Sequence, residues 1–259
     1  MSKLAERYGP WAVVTGASSG IGREIARQLA AEGTELVVVA RDEHRLEELA
    51  TELDVPCEVM VADLADVGGV SRIEDRLRDV SAPIDLLVNN AGFGHQGSFH
   101  ELDLEREAAV VDVNVAAVHR LAHVAAVAMV AAGRGGILNV SSMAGFMAAP
   151  GSATYAATKA FVTSLSEAKH AELEPSGVHV TVLCPGFTRT EFQDRADYDT
   201  SKLPDAVWQS AEDVAREGLA GVARNSAIVV PGVQNKVGAA MINVMPRRAM
   251  RFAMRRLPS

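Results

Sequence analysis

The sequence predicts an α/β fold built on a single doubly wound parallel sheet of about seven strands with helices on both faces. Three observations carry this. Short β-branched runs alternate with longer helical patterns along nearly the whole chain. The runs are continuously apolar rather than alternating, as strands are when helices cover both faces of a parallel sheet. A glycine-rich turn directly follows the first run, where sheets of this kind bind their ligands.

The strand candidates, in order, are WAVVT from Trp11, ELVVVA from Glu35, CEVMVA from Cys57, IDLLVN from Ile84, GILNVS from Gly136, VHVTVL from Val178 and AIVV from Ala227. Between them, apolar residues recur at three and four near 20–33, 43–53, 67–79, 103–132, 154–173 and 211–223, the spacing of helices with one buried face. Right-handed crossovers then join the strands. The main irregular piece is residues 185–209, long enough to be a functional loop, and its Phe187, Phe192, Tyr198 and Trp208 offer apolar surface to a ligand. It reads as a lid. No repeat, low-complexity segment or linker interrupts the chain before the last strand.

Composition excludes several function classes. The chain has 259 residues, 48% of them hydrophobic, ample for a sizeable core. A formal net charge of −8 and a pI near 5.4 argue against a nucleic-acid binder, which needs a basic field to track phosphates. Cys57 and Cys184 stand far apart in apolar runs and read as structural thiols of a reducing compartment. The N-terminal stretch MSKLAERYGP has no hydrophobic signal core, and the longest apolar run, residues 124–132, falls well short of the ~20 residues of a membrane span. A cytoplasmic location is therefore expected. His119 and His123 are four apart, but HRLAH lacks the glutamate of a zinc-protease helix and no third ligand is evident, so no metal is expected. His95 follows NNAGFG, within reach of a cleft, but reads first as an exposed loop histidine.

The turn TGASSGIG places Gly16, Gly20 and Gly22 between the first strand and the first helix. Glycines there permit close backbone approach to a pyrophosphate, and the helix N-terminus behind them offers unpaired N–H groups and partial positive charge. The spacing G-x-x-x-G-x-G departs from the commoner G-x-G-x-x-G, but the placement in a Rossmann-like sheet points to a dinucleotide. Further on, YAATK sets Tyr155 four residues before Lys159. On a helix both polar ends reach the same place, and a cation beside a phenol favours the phenolate, lowering its pKa from about 10. Asn114 interrupts the apolar helical run AAVVDVNVAAV, where an unsatisfied buried amide costs about 1–3 kcal/mol, so it needs a partner.

In this order TGASSGIG, DL at 63, NNAG at 89, the Asn of DVNV, VSS at 140, YAATK and PGFTRT at 185 resemble the short-chain dehydrogenase/reductase family from about residue 10 to about residue 230. The resemblance implies an NADP(H)-dependent oxidoreductase that interconverts a ketone or aldehyde and an alcohol on a small or apolar substrate. It implies a catalytic set of Asn114, Ser142, Tyr155 and Lys159. Tyr155 passes the proton, Lys159 lowers its pKa and bonds the nicotinamide ribose, Ser142 holds the substrate oxygen, and Asn114 positions a water for proton relay. Ser141 competes with Ser142, which is preferred because it lies thirteen positions before the tyrosine. The implied coenzyme contacts are Gly16, Ser18, Ser19, Gly20, Ile21 and Gly22 at the turn, Arg41, Asp63 and Leu64 around the adenosine, Asn90, Ala91 and Gly92 in the cleft, and Pro185, Gly186, Thr188 and Thr190 near the nicotinamide, together with Tyr155 and Lys159.

NADP is expected over NAD. NAD-preferring members resemble one another in placing an acid where Ala40 stands, whereas here Arg41 follows, and a guanidinium forks onto a phosphate. Past residue 225 the chain departs from the bacterial 3-oxoacyl carrier-protein reductases and looks more like NADP-dependent carbonyl reductases of broad substrate range. Residues 1–232 are thus expected to form one dinucleotide-binding and catalytic domain, and residues 233–259 a C-terminal basic helical extension. Within it, MPRRAMRFAMRRLP sets Met245, Met250, Phe252 and Leu257 against Arg247, Arg248, Arg251 and Arg255, an amphipathic segment suited to dock on the body or to meet an anionic membrane peripherally through residues 245–257. A homodimer or homotetramer is expected through the alanine-rich faces of 103–132 and 154–173. The alternative is a catalytically silent NADP-binding regulatory or scaffold protein of the same fold, although such proteins typically lose a catalytic side chain and none is lost here.

Overall fold

Alternate residues of each apolar run point to opposite faces, so both faces of the sheet must be covered. The computed structural model describes residues 8–196, 198, 200, 203–245 and 248. In it, seven parallel strands pair in the order β3-β2-β1-β4-β5-β6-β7. They are β1 (Trp11–Thr15), β2 (Glu35–Ala40), β3 (Cys57–Val61), β4 (Ile84–Asn89), β5 (Gly135–Val140), β6 (Val178–Leu183) and β7 (Ile228–Val229). The helices are α1 (Gly20–Ala31), α2 (Glu43–Glu52), α3 (Val67–Arg78), α4 (Leu104–Val111), α5 (Val118–Ala132), α6 (Ala153–Leu173), α7 (Phe192–Arg195), α8 (Ala211–Ala223) and α9 (Val233–Val244).

One core joins Val14, Val38, Val88 and Leu138 of the sheet to Ile25 and Leu29 of α1, Leu46 and Leu49 of α2, and Val214 and Leu219 of α8. The other joins Val13, Val37, Leu87 and Ile137 to Ile73 and Leu77 of α3 and Leu121, Ala125 and Met129 of α5. The strand order reverses between β1 and β4, which opens a crevice at the carboxyl ends of those strands. Helix starts follow the sequence chemistry, with Asp42, Asp66, Asp103 and Ser210 each accepting a backbone N–H of the helix that follows. Helix α5 stops at Gly133, whose φ of 69° is left-handed.

The structure departs from the sequence reading at three places. The helix expected over 103–132 is divided by a π-helical turn, Asp112–Ala117, which holds Asn114. Single π-helical turns of this kind are frequent at functional sites. Residues Leu104–Ala132 together are long and apolar enough to cross a membrane, yet Leu121, Ala125 and Met129 pack against the sheet. The last strand keeps Ile228 and Val229 of the four residues expected, and at its C-terminal end Pro231 has no N–H to extend the ladder. Of the expected basic extension, α9 covers Val233–Val244; apart from Met245 and Arg248, residues 245–259 lie outside the described residues.

Polar side chains then fix α6 against the sheet. Asn89 and Asn139 stand opposite each other in β4 and β5, and Asn89 Nδ2 donates to Asn139 Oδ1 at 2.9 Å. Asn139 Nδ2 donates in turn to Ser166 Oγ of α6 at 2.9 Å. Because buried amides must be paired, this chain sets where α6 sits along the sheet.

Candidate active site

A cavity of about 1280 Å³ runs along the carboxyl end of the sheet from the glycine turn to the lid. Its first end is built by β1 and α1. Gly16 has a φ of 68°, and a Cβ added there would lie 2.7 Å from Asn90 Nδ2, so only glycine turns the chain here. Gly22 does not face the cavity; a Cβ there would strike the Gly16 carbonyl, and its part is close helix packing. Ser19 is the residue before α1, yet its hydroxyl makes no capping bond. The first N–H groups of α1 are thus left to whatever enters beside Ser18, Ser19, Gly20 and Ile21, which all face the cavity. Asn90 braces this end, its Nδ2 donating to the carbonyls of Thr15 at 2.9 Å and Gly16 at 3.2 Å. Thr15, which the sequence reading passed over, accepts from the backbone N–H groups of Asn90 and Ala91 at 3.0 and 3.1 Å.

Arg41 leaves β2 with its side chain 74% exposed, 3.7 Å from Asp63. Both line the cavity with Leu64. Asp42, the nearest rival as a ribose acceptor, accepts the backbone N–H of Arg45 at 3.1 Å as the cap of α2. Its carboxylate is committed to that helix. This end of the cavity therefore has the donors a phosphorylated dinucleotide needs: an uncapped helix N-terminus and a guanidinium with room around it.

At the other end, α6 carries Tyr155 and Lys159 on one face, and Lys159 Nζ lies 5.7 Å from the centre of the Tyr155 ring. Lys159 is 4% exposed and donates to the Val140 carbonyl at 2.9 Å. Ser141 is spent on structure, since its hydroxyl donates to Lys159 O at 2.8 Å and lies 2.8 Å from Thr163 Oγ1. Ser142 is the serine that reaches Tyr155. Burial pushes the Tyr155 phenol up to about 12, with the hydrogen bond to Ser142 opposing it, and pushes the Lys159 amine down to about 8. The phenol thus stands above its ordinary value because desolvation dominates, while the Lys159 amine is occupied by Val140 O.

Asn114 is fully buried and has no surface on the cavity. Its Nδ2 donates to Phe93 O at 2.9 Å and Thr158 Oγ1 at 3.0 Å, and its Oδ1 accepts from Phe93 N at 3.1 Å. It ties the loop after β4 to α6. A Cβ added at Gly92 would lie 3.0 Å from Asn114 Oδ1 and 3.1 Å from Lys159 Nζ, so both groups stand against the same glycine.

Pro185, Gly186, Thr188 and Thr190 also line the cavity. Above them the lid closes on Tyr155 through Phe192, whose ring centre is 5.4 Å away. Phe187 and Tyr198 face inward, but Trp208 does not; it packs behind Phe187 at 5.8 Å and under Arg189. Both ends of the lid are pinned, because Gln209 N donates to Phe187 O at 2.9 Å and Gln209 Oε1 accepts from Asn235 Nδ2 at 2.7 Å. Asn235 itself lines the cavity from the first turn of α9, a contribution that no periodic pattern in the sequence signals. His119 and His123 lie on the exposed side of α5, away from all of this.

A family model described as short chain dehydrogenase matches residues 10–201. The chain belongs to the short-chain dehydrogenase family. Among its short-chain dehydrogenase relatives, an uncharacterised oxidoreductase of Staphylococcus epidermidis is 32% identical over 213 residues, covering 80% of this chain and 91% of that protein. The short-chain dehydrogenase from Sphingobium yanoikuyae, solved in complex with NADPH, is 33% identical with a TM-score of 0.83, covering 96% of this chain and 97% of that one. The bulky-bulky ketone specific alcohol dehydrogenase from Comamonas testosteroni is 32% identical with a TM-score of 0.78, covering 97% and 96%. Both structures share the sheet and the helices around it along nearly the whole chain.

Proposed function

We propose that this chain is an NADP(H)-dependent oxidoreductase interconverting a ketone or aldehyde and an alcohol on a small or apolar substrate. The observation that carries the proposal is the convergence of Tyr155, Ser142 and Lys159 on one end of a cavity whose other end has the uncapped α1 N-terminus and Arg41. The bound coenzyme supplies the hydride. Ser18 to Ile21 hold its pyrophosphate, Arg41 its 2′-phosphate, Asp63 and Leu64 its adenine, and Asn90 to Gly92 with Pro185, Gly186, Thr188 and Thr190 its nicotinamide half. The NADPH complex of the Sphingobium relative supports the same choice.

Ser142 and Tyr155 donate to the carbonyl oxygen and fix it at the reacting position, and Tyr155 delivers its proton to the forming alkoxide. Lys159, held by Val140 O, faces Tyr155 and steadies the negative charge left on the phenol. Asn114 acts through position, keeping Phe93 and Gly92 where Lys159 can connect to solvent. Phe187, Phe192 and Tyr198 exclude water from an apolar substrate.

The domain boundary at 232, a cytoplasmic location, and self-association into a homodimer or homotetramer through residues 103–132 and 154–173 belong to the same proposal. Exposed Val127 and Phe161 on those helices support the last of these. Oxidation of NADPH, followed at 340 nm across a panel of ketones and aldehydes, tests the activity directly. Coenzyme binding without turnover on any of them supports the silent alternative.

A further inference from the structure

The loop after β4 runs beside the start of α6. Gly94 packs on the Tyr155 ring, where an added Cβ would lie 2.7 Å from Cδ2, and Gly97 N donates to Gly151 O at 2.8 Å. Between those two contacts stands His95, with its side chain 7% exposed. Its Nδ1 is 3.3 Å from Glu107 Oε1 of α4, and Phe93 meets its ring edge-on at 5.5 Å. A carboxylate only accepts, so Nδ1 carries a proton in this contact, and in the neutral ring Nε2 is then a lone pair. No described residue bonds Nε2, and His95 lines the cavity.

Facing the same cavity is Ser152, 5% exposed, whose hydroxyl has no partner among the described residues. It stands at the N-cap position of α6 without capping it. A serine there ordinarily bonds the helix N–H groups, so a buried hydroxyl that does neither calls for a ligand. Ser152 lies three residues before Tyr155, about 5–6 Å away along one helix face. Gln96 Oε1 is also buried and unpartnered among the described residues, but it does not line the cavity.

We infer that His95 Nε2 and Ser152 Oγ form a polar subsite that recognises a hydroxyl carried by the substrate in addition to the carbonyl being reduced. A hydroxyl donates to Nε2 and accepts from the serine, satisfying both. A carbonyl or carboxylate satisfies only the serine, and an anion also meets the Glu107 carboxylate behind His95. Phe187, Phe192 and Met147 give the cavity apolar surface, beside the polar Arg106, Gln193 and Arg195. The substrate class is therefore an apolar hydroxyketone, or the corresponding diol in the oxidative direction. This rests on the function proposed above.

The test compares kcat/KM with NADPH for cyclohexanone, its 2-, 3- and 4-hydroxy derivatives and 4-oxocyclohexanecarboxylate, in the wild type, Ser152→Ala and His95→Phe. The wild type is expected to prefer at least one hydroxyketone over cyclohexanone by about tenfold or more, and each variant to reduce that ratio by about tenfold. Ser152→Ala removes one atom and keeps the result readable if His95→Phe fails to fold. Absence of a preference in the wild type, a ratio unchanged in Ser152→Ala, or preference for the carboxylate overturns the inference. Failure to reduce any of these compounds while NADPH still binds overturns the catalytic reading instead, and this inference with it.

Discussion

Replacing Lys159 with methionine tests the electrostatics of the site without any substrate. The amine is 4% exposed, and burial lowers it from its ordinary 10.5 to about 8. That difference amounts to roughly 3.4 kcal/mol of destabilisation while both folded and unfolded chains hold the proton. Between pH 8 and 10.5 the unfolded chain binds a proton that the folded chain has released, so stability rises with pH through this window. Above both values the penalty is gone. Worked through, the wild type recovers about 1.3 kcal/mol between pH 7 and pH 9 that the Lys159→Met chain has no means to recover. The variant also loses the bond to Val140 O, about 1 kcal/mol, which offsets its net gain at pH 7 but is independent of pH. Tyr155, Cys184 and Cys57 are pushed up by burial, to about 12, 12 and 11, and destabilise the fold as pH rises above their ordinary values. Tyr155 and Cys57 are common to both chains and cancel in the comparison; Cys184, whose thiolate Lys159 favours, keeps its proton in both folded chains up to pH 9 and so cancels over this range as well. Urea unfolding at pH 7, 8 and 9 is the assay, with Lys159→Met more stable than wild type by about 2 kcal/mol at pH 7 and the gap narrowing to about 1 kcal/mol by pH 9. Parallel pH profiles for the two chains refute the reasoning, because they mean Lys159 is not desolvated in the free protein.

Arg41→Asp removes the proposed phosphate partner and supplies a ribose acceptor, so the NADPH-to-NADH ratio of kcat/KM should fall at least tenfold; an unchanged ratio shows that Arg41 does not read the 2′-phosphate. Asn114→Ala strands Phe93 N–H and C=O in the interior, costing about 1–3 kcal/mol and lowering Tm by several degrees, whereas an unaltered Tm contradicts its bracing role. Light scattering at micromolar concentration should give two or four times 27.4 kDa, and Phe161→Asp should lower that mass; a wild-type particle of 27.4 kDa rules the α5 and α6 interface out.

The strands were legible because each is a short, largely apolar run, and the glycine turn because backbone geometry leaves little choice at Gly16. Tyr155 and Lys159 were legible because helical spacing alone puts them on one face. The π-turn at Asp112–Ala117 was not, since the apolar pattern of 103–132 runs on across it and the insertion is fixed by a tertiary partner, Phe93. Trp208 reads as a ligand-facing aromatic until Phe187 is seen to stand between it and the cavity. Asn235 and Ser152 reach the site through the packing of α9 and through a cap that is not made, and neither leaves a mark in local sequence. The phenol's raised pKa is likewise a property of burial by the lid, which pattern and spacing do not encode.

The proposed function turns on one step, proton transfer by Tyr155 in a coenzyme-dependent carbonyl reduction. Tyr155→Phe keeps the ring against Phe192 and removes only the hydroxyl. NADPH binding, followed by quenching of intrinsic fluorescence, should be nearly unchanged, while the rate of NADPH oxidation with a ketone that the wild type reduces should fall about 100-fold or more. Activity above about a tenth of wild type, with the same coenzyme affinity, contradicts that role.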